Sequence, residues 1–135
     1  MEISAGLLII QKNKILLAHP TKAPWYGTYT IPKGKVEENE TFVEAAIRET
    51  KEEIGIDISE DDIKNLNNPK TIEYTNEKGE IYKILKYFVV EPSTEITIDK
   101  SKLDKKEINW AGFLDKSDSM CRIFWRYEEM LKHIT

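Results

Sequence analysis

The sequence predicts an α/β domain in which a mixed sheet is covered by helices. Three observations predict it. Two pairs of short apolar runs flank polar breaks, as hairpins do. One internal segment joins a capping pattern to an apolar stripe at helical spacing. The chain closes on a second stretch whose apolar residues recur with helical period.

The elements follow in order along the chain. "ISAGLLII" and "KILLAH" are separated by Lys12-Asn13-Lys14 and predict a hairpin. "WYGTYTIPKG" is rich in aromatic residues, Gly and Pro, and predicts a loop with a short strand ending at Pro32. Thr41 followed by Glu44 is a capping-box pattern and sets the start of a helix. Within that helix Val43, Ile47, Thr50 and Ile54 fall in a stripe about 60° wide, which predicts the core face, and Gly55 suits the stop. "DISEDDIKNLNNP" predicts a loop with a short helical turn. "KTIEYT" and "EIYKILKYFVVE" flank Asn76-Glu77-Lys78-Gly79 and predict a second hairpin. After the charged connection "EPSTEITIDKSKLDKK", "EINWAGFL" predicts a strand. Met120, Phe124, Tyr127, Leu131 and Ile134 then predict one amphipathic helix starting after Ser117 or Asp118.

Bulk properties bound the function. The chain has 135 residues, enough for a core and expected to form one domain over 1–135. A net charge of −4 and a pI near 5.3 argue against long nucleic acid and anionic membranes as partners. The single cysteine, Cys121, excludes a disulfide within the chain and fits a reducing compartment. It lies in the apolar stretch "MCRIFW", which predicts a packing role in the core. The N-terminal apolar run is too short to span a bilayer and lacks a leader pattern, so the expected setting is cytoplasmic. Nothing in the sequence indicates the oligomeric state.

One stretch, "GKVEENETFVEAAIRETKEEIGI" from Gly34 to Ile56, sets carboxylates against one another. Glu49 and Glu53 are four residues apart and Glu49 and Glu52 three apart, so their side chains converge and repel. On a helical wheel Glu49, Glu52 and Glu53 span about 100° and fall roughly opposite the apolar stripe. A solvated acidic face is the plain reading of such a cluster. The chemical reading is a site for a hard divalent cation, which prefers carboxylate oxygens and would turn the repulsion into attraction. Arg48 can fix one carboxylate through a bidentate pair. Gly34, Glu40, Arg48, Glu49, Glu52, Glu53 and Gly55 fit G-x5-E-x7-R-E-U-x-E-E-x-G-U, where U is a bulky aliphatic residue, here Ile56 at the last place. Seven such matches arise by chance about once in 10⁸ to 10⁹ start positions, and solvation alone does not account for the pattern.

This spacing resembles the signature of the Nudix, or MutT-like, hydrolases. One position departs from it: Thr50 stands where an aliphatic residue is usual, which a hydroxyl bonded back to a carbonyl one turn earlier would accommodate. The resemblance implies an α/β/α sandwich with a mixed sheet between helices. It also implies hydrolysis of a nucleoside diphosphate linked to some group X, with Mg²⁺ or Mn²⁺ as cofactor. Carried over by position, Glu49, Glu52 and Glu53 correspond to metal-binding carboxylates and the Gly34 carbonyl to a further ligand. Arg48 corresponds to the group that orients the glutamates and Glu40 to a loop–helix support, while Glu49, Glu52 and an acidic residue outside the signature are all candidates for the general base.

Outside the signature, the resemblance implies Glu107 as the candidate for a further metal carboxylate, because it immediately precedes the strand-like "INWAGF" and a glutamate shortly before a similar Trp-containing strand serves this role in some members of the family, with Asp104 and Glu95 as alternatives. Lys33 and Lys35 flank Gly34 and could meet phosphates as point charges. Trp25 and Tyr26, in a loop near the acidic segment, are candidates for stacking on a base. The lysine in "IPKGK" resembles hydrolases of long phosphate chains, which places a dinucleoside polyphosphate such as diadenosine tetraphosphate first among substrates. A nucleoside triphosphate or another nucleotide is the alternative, as is a non-catalytic nucleotide-binding module. His19 is left open, and His133 is expected at the surface.

Overall fold

Strand β1 (Glu2–Gln11) organises the sheet by changing partner along its length. The protein is described over Met1–Thr135 by a computed structural model. One edge of β1 pairs in parallel with β5 (Ile81–Val90) from Glu2↔Lys83 to Ile9↔Val90. Its other edge pairs antiparallel with β3 (Lys33–Lys35) at Ser4–Gly6, and with β2 (Lys14–Pro20) only at Ile10 and Gln11. β4 (Lys70–Thr75) and β6 (Ile108–Leu114) complete a mixed sheet of order β4-β5-β1-β2-β6, with β3 beside β1 off that path. Between its two partners on that edge β1 is met by the chain around Pro32, whose carbonyl accepts from the Leu7 amide at 3.2 Å.

The sheet is buried on both faces, which is why β1 reads as a near-continuous apolar run. Ala5, Leu7, Ile9, Leu16, Ala18, Phe88 and Val90 point to the layer formed by helix α1 (Phe42–Ile54). Leu8, Ile15, Leu17, Leu85, Tyr87 and Val89 point to the opposite layer, built by the C-terminal segment through Ile123, Tyr127, Met130, Leu131 and Ile134. The fold is an α/β/α sandwich, a mixed sheet covered by helices as the residues predict and as the resemblance implies.

Local chemistry accounts for the ends of α1. The Thr41 hydroxyl accepts from the Glu44 amide and the Glu44 carboxylate accepts from the Thr41 amide, so the capping box closes. Gly55 ends the helix at φ 73°, a left-handed conformation that glycine adopts at no steric cost. The Thr50 hydroxyl donates to the Ala46 carbonyl at 2.8 Å, which satisfies a buried polar group on the core face. Lys12 and Asn13 both take positive φ and make the tight turn of the first hairpin. The second hairpin and the helical turn at Glu60–Asp62 also form as expected.

Four expectations are corrected. The short strand runs over Lys33–Lys35, after Pro32 rather than up to it: Pro32 has no amide to give and meets β1 only through its carbonyl, and paired residues run from Lys33 to Lys35. The C-terminal segment is not one helix. Helix α2 (Lys116–Arg122) stops where Tyr29 takes the Arg122 carbonyl and gives its own carbonyl to the Phe124 amide, both at 2.9 Å. A 3₁₀ segment, Trp125–His133, follows. That break leaves Met120 and Cys121 exposed, so Cys121 is not a core residue. His133 is half-buried, with a solvent-shielded Nε2 that meets no partner.

Candidate active site

The signature segment joins β3, a loop and α1, and its side chains meet in one pocket of about 520 Å³. Glu49, Glu52 and Glu53 line it from α1, Gly34 from β3, and Asp104 and Glu107 from the turn before β6. Lys33, Lys35 and Lys83 line it too, with Glu2, Ser4 and Thr30. The pocket lies at the start of β1, where Glu2 and Ser4 line it, with Pro20 at the end of β2 on its wall.

Arg48 organises the helix side. Its Nε and Nη2 grip both Glu40 oxygens at 2.6 and 3.0 Å, in fork geometry. Its Nη1 donates to Glu49 Oε1 at 2.9 Å and to Glu52 Oε2 at 3.2 Å, and Nη2 also reaches the Lys35 carbonyl at 3.0 Å. One guanidinium thus fixes two pocket carboxylates and ties the helix to the β3 loop. Its hydrogen bonds hold the Glu40 carboxyl below the usual range. Glu40 also accepts from the Glu37 amide at 2.9 Å, which makes it the loop–helix brace.

Glu53 does not lie opposite the core. The buried arc of α1 runs through Ala46, Thr50 and Ile54 and includes Glu53, which is only 9% exposed, while Val43 and Ile47 are half-buried. Glu53 faces β3, where its Oε1 accepts from the Lys33 amide at 3.1 Å. Burial pushes its carboxyl up to about 8, with the Glu49 and Glu107 charges adding and the Lys33 amide and ammonium opposing. Glu49 is also raised, first by burial. Gly34 is required by close approach: a Cβ there would lie 2.1 to 2.4 Å from the Glu49 carboxylate.

No three acidic, His or Cys side chains already stand together as a metal cluster, because Arg48 holds Glu49 and Glu52 while Glu53 turns to the Lys33 amide. The donor chemistry nevertheless fits a hard divalent cation. Carboxylate oxygens of Glu49, Glu52, Glu53 and Glu107 face one pocket, and burial raises the Glu53 and Glu49 carboxyls, a cost that a bound cation would relieve.

Of the residues expected outside the signature, Glu107, Lys33 and Lys35 line the pocket, as does Asp104. Glu95 does not; it pairs with Lys12 at 2.6 Å elsewhere on the surface. Trp25 and Tyr26 do not line it either. Trp25 stacks on the buried His19 ring at 3.6 Å, and Tyr26 is 77% exposed. His19 is therefore a packing residue, held by Asn109 at 2.7 Å and by the Pro24 carbonyl at 3.1 Å. Lys83 went unseen in the sequence. The parallel β1–β5 register sets it beside Glu2, with its Nζ 3.1 Å from Glu2 Oε2. A lysine in a largely apolar strand was its only signal, and Lys86 in the same strand carries the same one.

An α/β/α sandwich whose strand–loop–helix junction faces carboxylates toward lysines defines a domain suited to a polyanion and a cation together. The chain belongs to the NUDIX domain family, which it matches over residues 2–118. It is similar to an 8-oxo-dGTP diphosphatase of Proteus vulgaris, 39% identical over 61 residues, which cover 44% of this chain and 54% of that one. The chain spans about half or less of the length of the first curated relatives it matches. Among solved structures it is similar to an Ap4A hydrolase of C. elegans, at TM-score 0.71 and 24% identity, covering 96% of this chain and 93% of that one. It is also similar to the E. coli dihydroneopterin triphosphate pyrophosphohydrolase, at TM-score 0.71 and 20% identity, covering 97% and 92%. These two likenesses establish the fold.

Proposed function

We propose that residues 1–135 act as one metal-dependent pyrophosphohydrolase unit that cleaves a diphosphate linkage in a nucleoside diphosphate linked to X, with a dinucleoside polyphosphate such as diadenosine tetraphosphate as the preferred substrate. The observation that carries this reading is the pocket that sets Glu49, Glu52, Glu53 and Glu107 against Lys33, Lys35 and Lys83. Family membership and the printed activities of the relatives, all on phosphoanhydrides of nucleotides or similar compounds, support it. The single cysteine agrees with a cytoplasmic setting.

Glu49, Glu52, Glu53, Glu107 and the Gly34 carbonyl would hold Mg²⁺ or Mn²⁺, and such an ion supplies charge neutralisation at the phosphates and a more acidic bound water. The chain's own residues do the rest. Arg48 keeps Glu49 and Glu52 aimed at the pocket. A carboxylate beside the attacking water, Glu49 or Glu52, accepts its proton. Burial and the neighbouring Lys83 charge lower the pKa of Lys33, so its ammonium is under-compensated and gains from an anionic phosphate. Lys33 and Lys83, the latter paired with Glu2 at 3.1 Å, are cations that can meet phosphates beyond those a metal ion neutralises, which favours a longer phosphate chain.

Specificity constants for diadenosine tetraphosphate, a nucleoside triphosphate, ADP-ribose and a diphosphoinositol polyphosphate test the reading. Diadenosine tetraphosphate should lead, and Lys33→Gly and Lys83→Ala should each cost it about tenfold more than they cost ADP-ribose, one charge-assisted contact being worth about 1.5–3 kcal/mol. Preference for ADP-ribose or a simple triphosphate, or equal losses on all substrates, refutes the substrate assignment.

Glu107 is a separate expectation. It is exposed, and the turn that closes through its amide to the Asp104 carbonyl at 2.9 Å sets it on the pocket wall. Glu107→Ala should lower turnover about tenfold or more and weaken Mn²⁺ binding, as loss of one cation ligand does. Unchanged turnover and Mn²⁺ affinity remove it from the ligand set.

A further inference from the structure

Strand β1 brings a carboxylate to the lysine side of the pocket. Glu2 pairs in register with Lys83 of β5 on one edge, and Ser4, two residues on, pairs with Lys35 of β3 on the other. Alternate residues of a strand share a face, so Glu2 and Ser4 point the same way, and both line the pocket. Glu2 Oε2 lies 3.1 Å from Lys83 Nζ, and Glu2 Oε1 lies 3.5 Å from Lys35 Nζ. One carboxylate thus bridges two of the three lysines in the pocket. Lys83 Nζ also lies 5.0 Å from the Tyr74 ring centroid, so its ammonium is held by an anion and a ring face. The Lys83 hydrogen bond, with the Lys83 and Lys35 charges, holds the Glu2 carboxyl below the usual range and keeps it ionised.

A cross-strand ion pair at this exposure stabilises a sheet only slightly, so stability does not explain a carboxylate among lysines that face a polyanion. Glu49, Glu52, Glu53 and Glu107 have a cation to meet, whereas Glu2 meets lysines. We infer that Glu2 is a resident anion on the phosphate-binding lysines, a specificity-determining carboxylate that incoming phosphate must displace. The inference rests on the hydrolase reading above and adds the residue that sets how tightly its lysines hold phosphate. Until Glu2 swings away, Lys83 and Lys35 are largely neutralised. A phosphate with two or more charges gains more from two ammoniums than a singly charged carboxylate does, so it takes the place. A singly charged anion gains no more than Glu2 and does not. The lysines therefore discriminate against monoanions, and they hold every phosphate less tightly than bare lysines would. The Glu2 side chain is 37% exposed, which leaves it room to turn out.

Calorimetric titration of inorganic tripolyphosphate into the metal-free protein at low ionic strength tests this. Glu2→Gln should bind it about tenfold more tightly than wild type, the scale of removing one like charge from a partly screened contact. Glu95→Gln makes the same change in net charge at the distant Lys12 pair and should leave the affinity within about twofold. Lys83→Ala should weaken binding, and adding Glu2→Gln to it should give a gain of only about threefold or less. In Mg²⁺, Glu2→Gln should lower KM for diadenosine tetraphosphate by a factor similar to its gain on tripolyphosphate, without raising kcat. Its melting temperature should change by no more than a few degrees. Glu2→Gln affinity equal to or below wild type overturns the inference. So does a gain that persists in full without Lys83, because Glu2 would then act by general repulsion. Both results leave the substrate reading standing. Equal affinity of wild type and Lys83→Ala overturns the inference together with the lysine basis of that reading. Preference for another nucleotide, with Glu2→Gln still gaining on tripolyphosphate, would refute the substrate reading alone.

Discussion

Glu53→Gln is expected to lower turnover at least about a hundredfold in saturating Mg²⁺ while the fold survives. Glu53 is the most buried carboxylate of the pocket, and charge neutralisation at such a site contributes several kcal/mol. Near wild-type turnover would remove Glu53 from the cation site. The same substitution should stabilise the metal-free protein, because it removes a buried carboxylate four residues from Glu49. The sign with pH follows from linkage. In the folded chain the Glu53 carboxyl titrates near 8, above its ordinary 4.5, so the folded state keeps a proton that the unfolded state releases. Stability of the metal-free wild type therefore falls as pH rises from about 4.5 to about 8 and levels off above, a loss on the order of a few kcal/mol. Glu53→Gln should lack this slope. Thermal melts across that window, in chelator, measure both effects. A lower melting temperature for the variant at pH 8 would contradict the account.

Arg48→Ala is expected to damage stability and turnover together. Arg48 binds Glu40, Glu49, Glu52 and the Lys35 carbonyl at once, and truncation leaves three carboxylates facing one another. The side chain is 24% exposed, so the cost falls below that of a fully buried pair, at about 2–4 kcal/mol, or roughly 5–15 °C in melting temperature. Turnover should fall at least about tenfold, since Glu49 and Glu52 lose the donor that aims them. Arg48→Lys should recover little, because one ammonium cannot reproduce the planar fork on Glu40 while reaching Glu49. An Arg48→Lys protein with wild-type stability and turnover would show that charge alone, and not geometry, matters at this position.

Short-range features of this chain were legible before folding. The capping box at Thr41, the stop at Gly55, both hairpins and the carboxylate spacing of α1 are each contained within a few residues, and hydrogen bonds inside the same segment enforce them. The back-bond from Thr50 to Ala46 was legible for the same reason. Glu49, Glu52 and Glu53 line one pocket because i, i+3 and i, i+4 spacing dictates convergence on any helix. How far Glu53 is buried was not, since a wheel gives angles but not the neighbour each angle meets. β3 lies on that side of α1 and draws Glu53 inward through the Lys33 amide.

The rest required tertiary structure. The closing segment reads as one amphipathic helix by periodicity, yet Tyr29 claims the backbone on either side of Ile123 and divides it. That division leaves Cys121 exposed. Lys83 enters the site only through the parallel pairing of β1 with β5. The sequence by itself determined helix α1 with its caps and its carboxylate face, and both hairpins, because those depend on bonds along the chain. Only the tertiary structure decided where the closing helix breaks and which lysine of β5 joins the pocket, because strand register joins residues that no local pattern connects.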